Sequence, residues 1–565
     1  MVLGSHCSIS GENLNPFDAN GKFQPTEVGG GLRRLAVRGA GVTVFAQAAV
    51  FAVQLIATVI LARLLMPSDF GVVTMVTTFS LLLMSFGQNG YTEAIIQREE
   101  MDHILASNLF WINLGAGLVL AIGFAAVGPL LAKFYGDPRV AHIVTFISLT
   151  ILFGSTSVVH LALLKRALQF SVTSSIEVLA NIVSVVASIL IALAGWGYWA
   201  LVVAVIVRSI AQSAGAWWQC QWLPGRPRRL EGTASIVRFA LNVYGRFSFN
   251  YTTRNTDNLL VGWRFGSASL GFYKKAYDLF LLPANQLYIP VADVVLSTLS
   301  RLERGSAEYR RYFLNGLSIL AFVSMGAGAV LTLVGKDLIR LLLGEKWGPA
   351  GHIFTFFGPG IGIMLIYFTS GLIHLSIGRA DRWLRWVILE FGVTVLLFLL
   401  GLHWGPVGIA SAWSASFWIL FIPAFWYAGK PIRFGVTPVV ASVWRYMLAS
   451  LMAGGASAAI IHEIAFLAAA PGIPKVLARI VSTSLLFLIL YLGAVLLLHG
   501  GPEPLYRFAR LLPDMLAWAR FRGSRPASEP MPPDARDAQL DTEAVPEAFS
   551  GETEEVRRGY LTRSK

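Results

Sequence analysis

Residues 241–278 read LNVYGRFSFNYTTRNTDNLLVGWRFGSASLGFYKKAYD. The run is long and apolar enough to cross a bilayer, yet it carries Arg246, Arg254, Asp257 and Arg264. On a helix, Asn242, Arg246, Asn250, Thr253, Arg254, Asp257 and Arg264 fall within one stripe of about 120°. Lipid cannot solvate such a stripe. It must face protein or water, because each charge near the bilayer centre costs roughly 3 kcal/mol or more.

The rest of the chain agrees with a membrane setting. Its 565 residues are 55% hydrophobic and 14% charged, with a mean hydropathy of +0.62. A soluble domain carries about 25% charged residues. Apolar runs long enough to span about 30 Å of hydrocarbon recur from end to end, which excludes the short alternating segments of a β-barrel. The net charge of +13 invites a nucleic-acid reading. The basic residues, however, sit in short loops between spans, where they encode topology. The two cysteines, Cys7 and Cys220, support neither a disulfide framework nor a metal site.

The expected fold class is an all-α polytopic membrane protein with about fourteen transmembrane helices. Residues 1–31 and 500–565 read as disordered cytoplasmic tails. Residues 32–222 and 235–430 read as six-helix lobes joined by a cytoplasmic linker, 223–234, with two further spans in 431–499. One set of loops holds Arg33, Arg34 and Arg38; Lys165 and Arg166; Arg226 and Arg228; Arg301, Arg304, Arg310 and Arg311; and Arg379, Arg382 and Arg385. The positive-inside rule assigns that set, and with it both termini, to the cytoplasm. No inter-span loop leaves room for a soluble catalytic domain, so no catalytic residue, metal or cofactor is expected.

The lobes read as a repeat. LARLLMPSDFGVVTMV from Leu61 aligns with VGWRFGSASLGFYKKA from Val261 at an offset of 200 residues, setting Phe70-Gly71 on Leu270-Gly271. Repeated halves are a common transporter architecture, with the substrate site at their interface. The same offset sets Gln54 on Arg254. Gln47 and Gln54 on the first span are then the uncharged counterpart of the Arg stripe.

Several segments carry a family resemblance: ILARLLMPSDFGVVTM, GQNGYTEAIIQRE, TRNTDNLLVGWRFGSASLGFYKKAYDLFLLP, LSTLSRLERGSAEYRRYFLNGL and LIRLLLGEKWGPA. Across about residues 32–435 the chain resembles the Wzx-type polysaccharide flippases. These form the polysaccharide-transporter branch of the multidrug/oligosaccharidyl-lipid/polysaccharide superfamily. The resemblance implies two six-helix lobes in a pseudo-twofold, V-shaped arrangement. It also implies alternating access, moving an undecaprenyl-pyrophosphate-linked oligosaccharide across the inner membrane for exopolysaccharide, capsule or O-antigen export. Membrane lipids, a polysaccharide polymerase and export machinery are the partners it implies.

Arg254, Arg246 and Arg264 are the expected phosphate-facing cations, since guanidinium forks onto phosphate oxygens at any physiological pH. Asn250, Asn242, Gln54 and Gln47 supply partners for sugar hydroxyls. Asp257 is expected to pair with Arg254 through i,i+3 spacing. Lys274 and Asp278 are i,i+4 neighbours, leaving Lys275 as an interface or cavity cation. Glu177 and Glu390 read as solvated carboxylates near span ends. Two alternatives remain: a multidrug/cation antiporter, whose cavity would favour acidic residues, and a membrane polymerase or ligase, which would need a larger extramembrane segment.

Overall fold

The computed structural model describes residues 16–18, 21–23, 32–98, 101–228, 233–463, 473–503 and 505–506. The chain divides into two units, Met1–Phe508 and Ala509–Lys565, the second lying outside the described residues. Among the described residues thirteen α-helices follow one another: α1 (Leu32–Leu64), α2 (Pro67–Gln97), α3 (His103–Tyr135), α4 (Arg139–Arg166), α5 (Phe170–Leu193), α6 (Trp199–Cys220), α7 (Thr233–Leu299), α8 (Ala307–Leu343), α9 (Gly348–Ser376), α10 (Ala380–Gly401), α11 (Gly405–Gly429), α12 (Val436–Glu463) and α13 (Ile473–His499).

Local chemistry sets the helix ends. Pro67 opens α2 and the Asp69 carboxylate accepts the Met66 amide at 2.9 Å, a proline-plus-cap start. Asp102 caps α3 by accepting from the Leu105 amide at 2.6 Å, and Gly136 closes it in the left-handed region. Ser306 caps α8 by accepting from the Tyr309 amide at 3.0 Å. α7 is continuous over 67 residues except at Gly266 (φ 78°), where the chain folds back. That backbone conformation favours glycine. The turn divides α7 into two arms, 233–265 and 267–299.

Consecutive helices run up and down between two ends. The hairpin end carries the turns at 65–66, 136–138, 194–198, 266, 344–347 and 402–404. The basic end carries Arg166, Arg301, Arg304, Arg310, Arg379 and Arg433.

Among the described residues, eleven stretches are long and apolar enough to cross a membrane by length and composition. The expected fourteen included two spans within α7 and separate spans for α10 and α11. Here Asp381–Ile432 enters as one stretch holding α10 and α11. α7 is not among the eleven. Large apolar side chains such as Val119, Leu130, Leu190, Leu396 and Ile489 are exposed on the outer faces, as hydrocarbon contact requires.

Each lobe packs its helices alike. α3 packs on α4, α2 on α4, α4 on α6 and α5 on α6 in the first lobe. α8 on α9, α7 on α9, α9 on α11 and α10 on α11 match them in the second, with α12 and α13 added against α8. Enclosure is greatest at α9, where 83% of the most apolar window is buried, against 22% in α1. The core therefore lies along α9, α7 and α2, with Tyr273, Phe280, Phe357 and Trp413 packed ring to ring.

The repeat is visible as a reciprocal contact. A Cβ on Gly71 would collide with the backbone carbonyl of Ser267, and one on Gly271 with the carbonyl of Pro67. Exchanging each position with its counterpart 200 residues away (71 with 271, 67 with 267) turns one pair into the other, so α2 and the second arm of α7 cross about a pseudo-twofold axis at the hairpin end.

Two segments outside the helices pack against them. Phe17 is buried against His103 and Trp222, so this part of the first 31 residues is packed. The connector after α6 lies along α3: Asn108 pairs with both the amide and the carbonyl of Arg228 (2.9 and 2.6 Å), and the Gly225 amide donates to Ser107.

Candidate functional site

The first arm of α7 presents Asn250, Arg254 and Arg264, all exposed. The side chains of Asn242 and Arg246 lie outside the described residues. The arm leans on α2, where Tyr244 and Tyr251 donate to the carbonyls of Leu82 and Thr78 at 3.0 and 2.9 Å. It meets α10 only sparsely. Arg254 reaches across that gap. Its guanidinium lies 5.4 Å from the centre of the Phe368 ring on α9 and interacts electrostatically with Glu390 on α10.

Glu390 is held from its other side. The Tyr367 hydroxyl lies on that side and acts on the carboxyl, and it accepts from the Trp386 indole at 2.7 Å. A carboxylate within a span is costly alone. Here an aromatic relay and a guanidinium share it. The sequence placed Glu390 near solvent. What it lacked was the register of α10 against α9, which turns Glu390 toward Tyr367.

Asp257 does not pair with Arg254. It is 1% exposed and accepts from the Tyr273 hydroxyl at 2.8 Å and from the Asn258 amide at 2.8 Å. The reason is the turn at Gly266, which lays the second arm of α7 over the Asp257 level of the stripe. The carboxylate therefore joins the two arms of α7, while Asn250 and Arg254 stay exposed. Lys274 and Asp278 form an ion pair. Lys275 is half-buried, its ammonium 4.4 Å from the centre of the Phe70 ring.

The first lobe has a related polar seam. Gln47 donates to Glu177 at 3.2 Å and Gln54 to Asn181 at 3.3 Å, joining α1 to α5. Glu177 also interacts electrostatically with Arg208 on α6. Each lobe thus sets a carboxylate and an arginine within electrostatic reach of each other on its helices: Glu177 and Arg208, and Glu390 and Arg254. The residues at positions 54 and 254 each reach from the first helix of their lobe to the fifth. The expected charge asymmetry is thus smaller than the stripe alone suggested. Its signal was available, since Glu177 and Asn181 lie one turn apart on α5.

The lobes are tied together at the hairpin end. Trp347 donates to the Ala62 carbonyl at 2.8 Å, and Lys346 to the carbonyls of Arg63 and Leu65 at 2.9 and 2.6 Å. Arg63 donates to the Leu341 carbonyl at 2.8 Å. On the opposite seam Arg139 reaches Ser267 at 3.2 Å while holding both oxygens of Asp137. With the Gly71–Gly271 crossing between them, these contacts close that end.

The family model for "Polysaccharide biosynthesis protein" matches residues 60–351. The lipopolysaccharide biosynthesis protein WzxC of Escherichia coli (strain K12) is 23% identical over 322 residues, covering 56% of this chain and 65% of that protein. The succinoglycan biosynthesis transport protein ExoT of Rhizobium meliloti (strain 1021) is 22% identical over 424 residues, covering 74% of this chain and 85% of that protein. The chain thus spans about two thirds of WzxC and most of ExoT. Among solved structures, the lipid II flippase MurJ in an inward closed conformation superposes with a TM-score of 0.64 at 14% identity, covering 80% of this chain and 98% of MurJ. That likeness shows the fold.

Proposed function

The chain belongs to the polysaccharide biosynthesis protein family, and from that premise we propose that it is a flippase for a lipid-linked oligosaccharide. The lobes 32–222 and 235–430 rock against each other, with 431–499 as added spans. The basic end faces the cytoplasm, with both termini, and the membrane is the bacterial inner membrane. The substrate enters from the cytoplasmic leaflet, since the hairpin end is the tied one. Undecaprenyl diphosphate carries the glycan. Polymerase and export machinery consume it on the far side.

The observation that carries this reading is Arg254 reaching over Phe368 to Glu390. An arginine within electrostatic reach of a carboxylate does not hold an anion too tightly. The diphosphate competes with Glu390 for the guanidinium, binds by charge-assisted hydrogen bonds, and is released when Glu390 reclaims it. Asn250, Gln47 and Gln54, exposed on the same helices that open each lobe, meet sugar hydroxyls. Arg264 and Arg246 extend the cationic path toward the two ends. Asp257 and Lys275, engaged with Tyr273 and Phe70, set the shape of α7 instead of touching substrate.

The test is a deletion strain complemented with Arg254→Ala. The proposal expects lipid-linked repeat units to accumulate in the cytoplasmic leaflet and polymer to fall at least tenfold, with wild-type amounts of protein in the membrane. Normal polymer export sinks it.

A further inference from the structure

A cavity of about 440 Å³ opens at the hairpin end, lined by Arg63, Arg340, Lys346, Glu345, Ile473 and Val476. That volume lies within the range of small-molecule sites, about 300–1,000 Å³. Three of its walls are cations from both lobes. A fourth, from α13, is apolar.

The cations are brought there by helix ends. α1 and α8 both finish at this point, and their last carbonyls carry partial negative charge. Arg63 donates Nη2 and Nε to the carbonyls of Leu341 and Leu342, and Lys346 donates to those of Arg63 and Leu65. Each lobe thus caps a helix of the other. A guanidinium has five N–H donors. The two bonds of Arg63 leave Nη1 without a protein acceptor among the described residues. Arg340 is engaged by Glu345, whose side chain is 78% exposed. An ion pair open to water holds weakly, so an incoming anion can displace that carboxylate.

The pseudo-symmetric seam differs. By the 200-residue offset Arg63 corresponds to Trp263, which stacks there on Phe134 near the end of α3 at 6.1 Å. Arg139, nearby, is taken up by both oxygens of Asp137 and by Ser267. A device needed only to hold the lobes together would serve both seams alike. Among the described residues the three cations gather at the first seam, around this cavity.

We propose that this cavity binds the phosphate of a lipid, with Arg63, Arg340 and Lys346 on the anion and Ile473 and Val476 against the adjoining chain. The phosphate is either that of a bulk anionic phospholipid or the diphosphate of a polyprenyl carrier. The inference goes beyond transport itself. Because binding is read without turnover, its failure leaves the flippase reading standing.

The experiment is native mass spectrometry of the full chain in detergent. The probes are phosphatidylglycerol, undecaprenyl diphosphate and, as an uncharged control, diacylglycerol. The wild type is expected to retain the two phosphate lipids and not diacylglycerol, and the tighter of the two identifies the source. Arg340→Gln, which leaves the Arg63 and Lys346 contacts in place, should weaken binding about tenfold, the worth of one charge-assisted hydrogen bond. Glu345→Gln, which removes the competing carboxylate, should strengthen it. Equal retention of diacylglycerol, unchanged binding in Arg340→Gln, or weaker binding in both variants overturns the proposal.

Discussion

Gly71 and Gly271 sit in reciprocal contact: a side chain on Gly71 would strike the carbonyl of Ser267, and one on Gly271 the carbonyl of Pro67. Close approach of two helix backbones is a means of packing inside a membrane, where apolar burial gives little drive. Gly71→Ala and Gly271→Ala should therefore each destabilise the folded protein, by about 2 kcal/mol or more, since the colliding atoms are backbone. The double variant should cost less than the sum, because once the crossing is pushed apart the second methyl finds room. Thermal melting in detergent measures all three. An unchanged melting temperature for either single variant contradicts the crossing.

The bond between Asp257 and Tyr273 joins the two arms of α7. Tyr273→Phe leaves a buried carboxylate short of a donor, at a cost of about 1–3 kcal/mol. Transport should survive in the fraction that folds, because neither group faces the exposed stripe. A folded Tyr273→Phe protein without transport would move Asp257 back into the substrate path.

Arg254 and Glu390 are coupled, so their substitutions should not add. If Glu390 competes with the diphosphate, Glu390→Gln should hold substrate more tightly and release it slowly, lowering both KM and kcat. The charge-swapped pair Arg254→Glu with Glu390→Arg should recover more transport than Arg254→Glu alone. Initial rates in reconstituted vesicles test this, and additive losses would deny the coupling.

Asp137 lies in the turn between α3 and α4. The hydrogen bond from the Arg139 side chain is the largest cause holding its carboxyl below the usual carboxylate range. Its stabilising effect is therefore complete above the unfolded value of about 3.9 and is lost as pH falls through the lower folded value. Asp137→Asn should melt below the wild type at pH 7, and the two should converge below about pH 4. A constant gap across that range would show that Asp137 acts through shape alone.

Much of the architecture was legible because membrane helices announce themselves by length and composition. The 200-residue offset was readable too, since Gly71 and Gly271 each follow a polar turn at the same distance. Partners across the bundle were not. Spacing along one helix suggested Arg254 with Asp257, but the turn at Gly266 carries Tyr273 onto Asp257 and leaves Arg254 to α9 and α10. Glu177 and Glu390 are half-exposed, and a single sequence names their helical face without saying which helix it meets. The hairpin-end cavity was hidden for the same reason: Arg63, Arg340 and Val476 converge only after folding.

The most direct measurement is the leaflet distribution of the lipid-linked repeat unit in a deletion strain complemented with wild type, Arg254→Lys or Arg254→Ala. Wild type should clear the cytoplasmic leaflet. Arg254→Lys should do so partly, keeping the charge but losing the guanidinium fork. Arg254→Ala, present in the membrane at wild-type level, should leave the repeat unit stranded on the cytoplasmic side with polymer lost. Full clearance by Arg254→Ala would contradict the account.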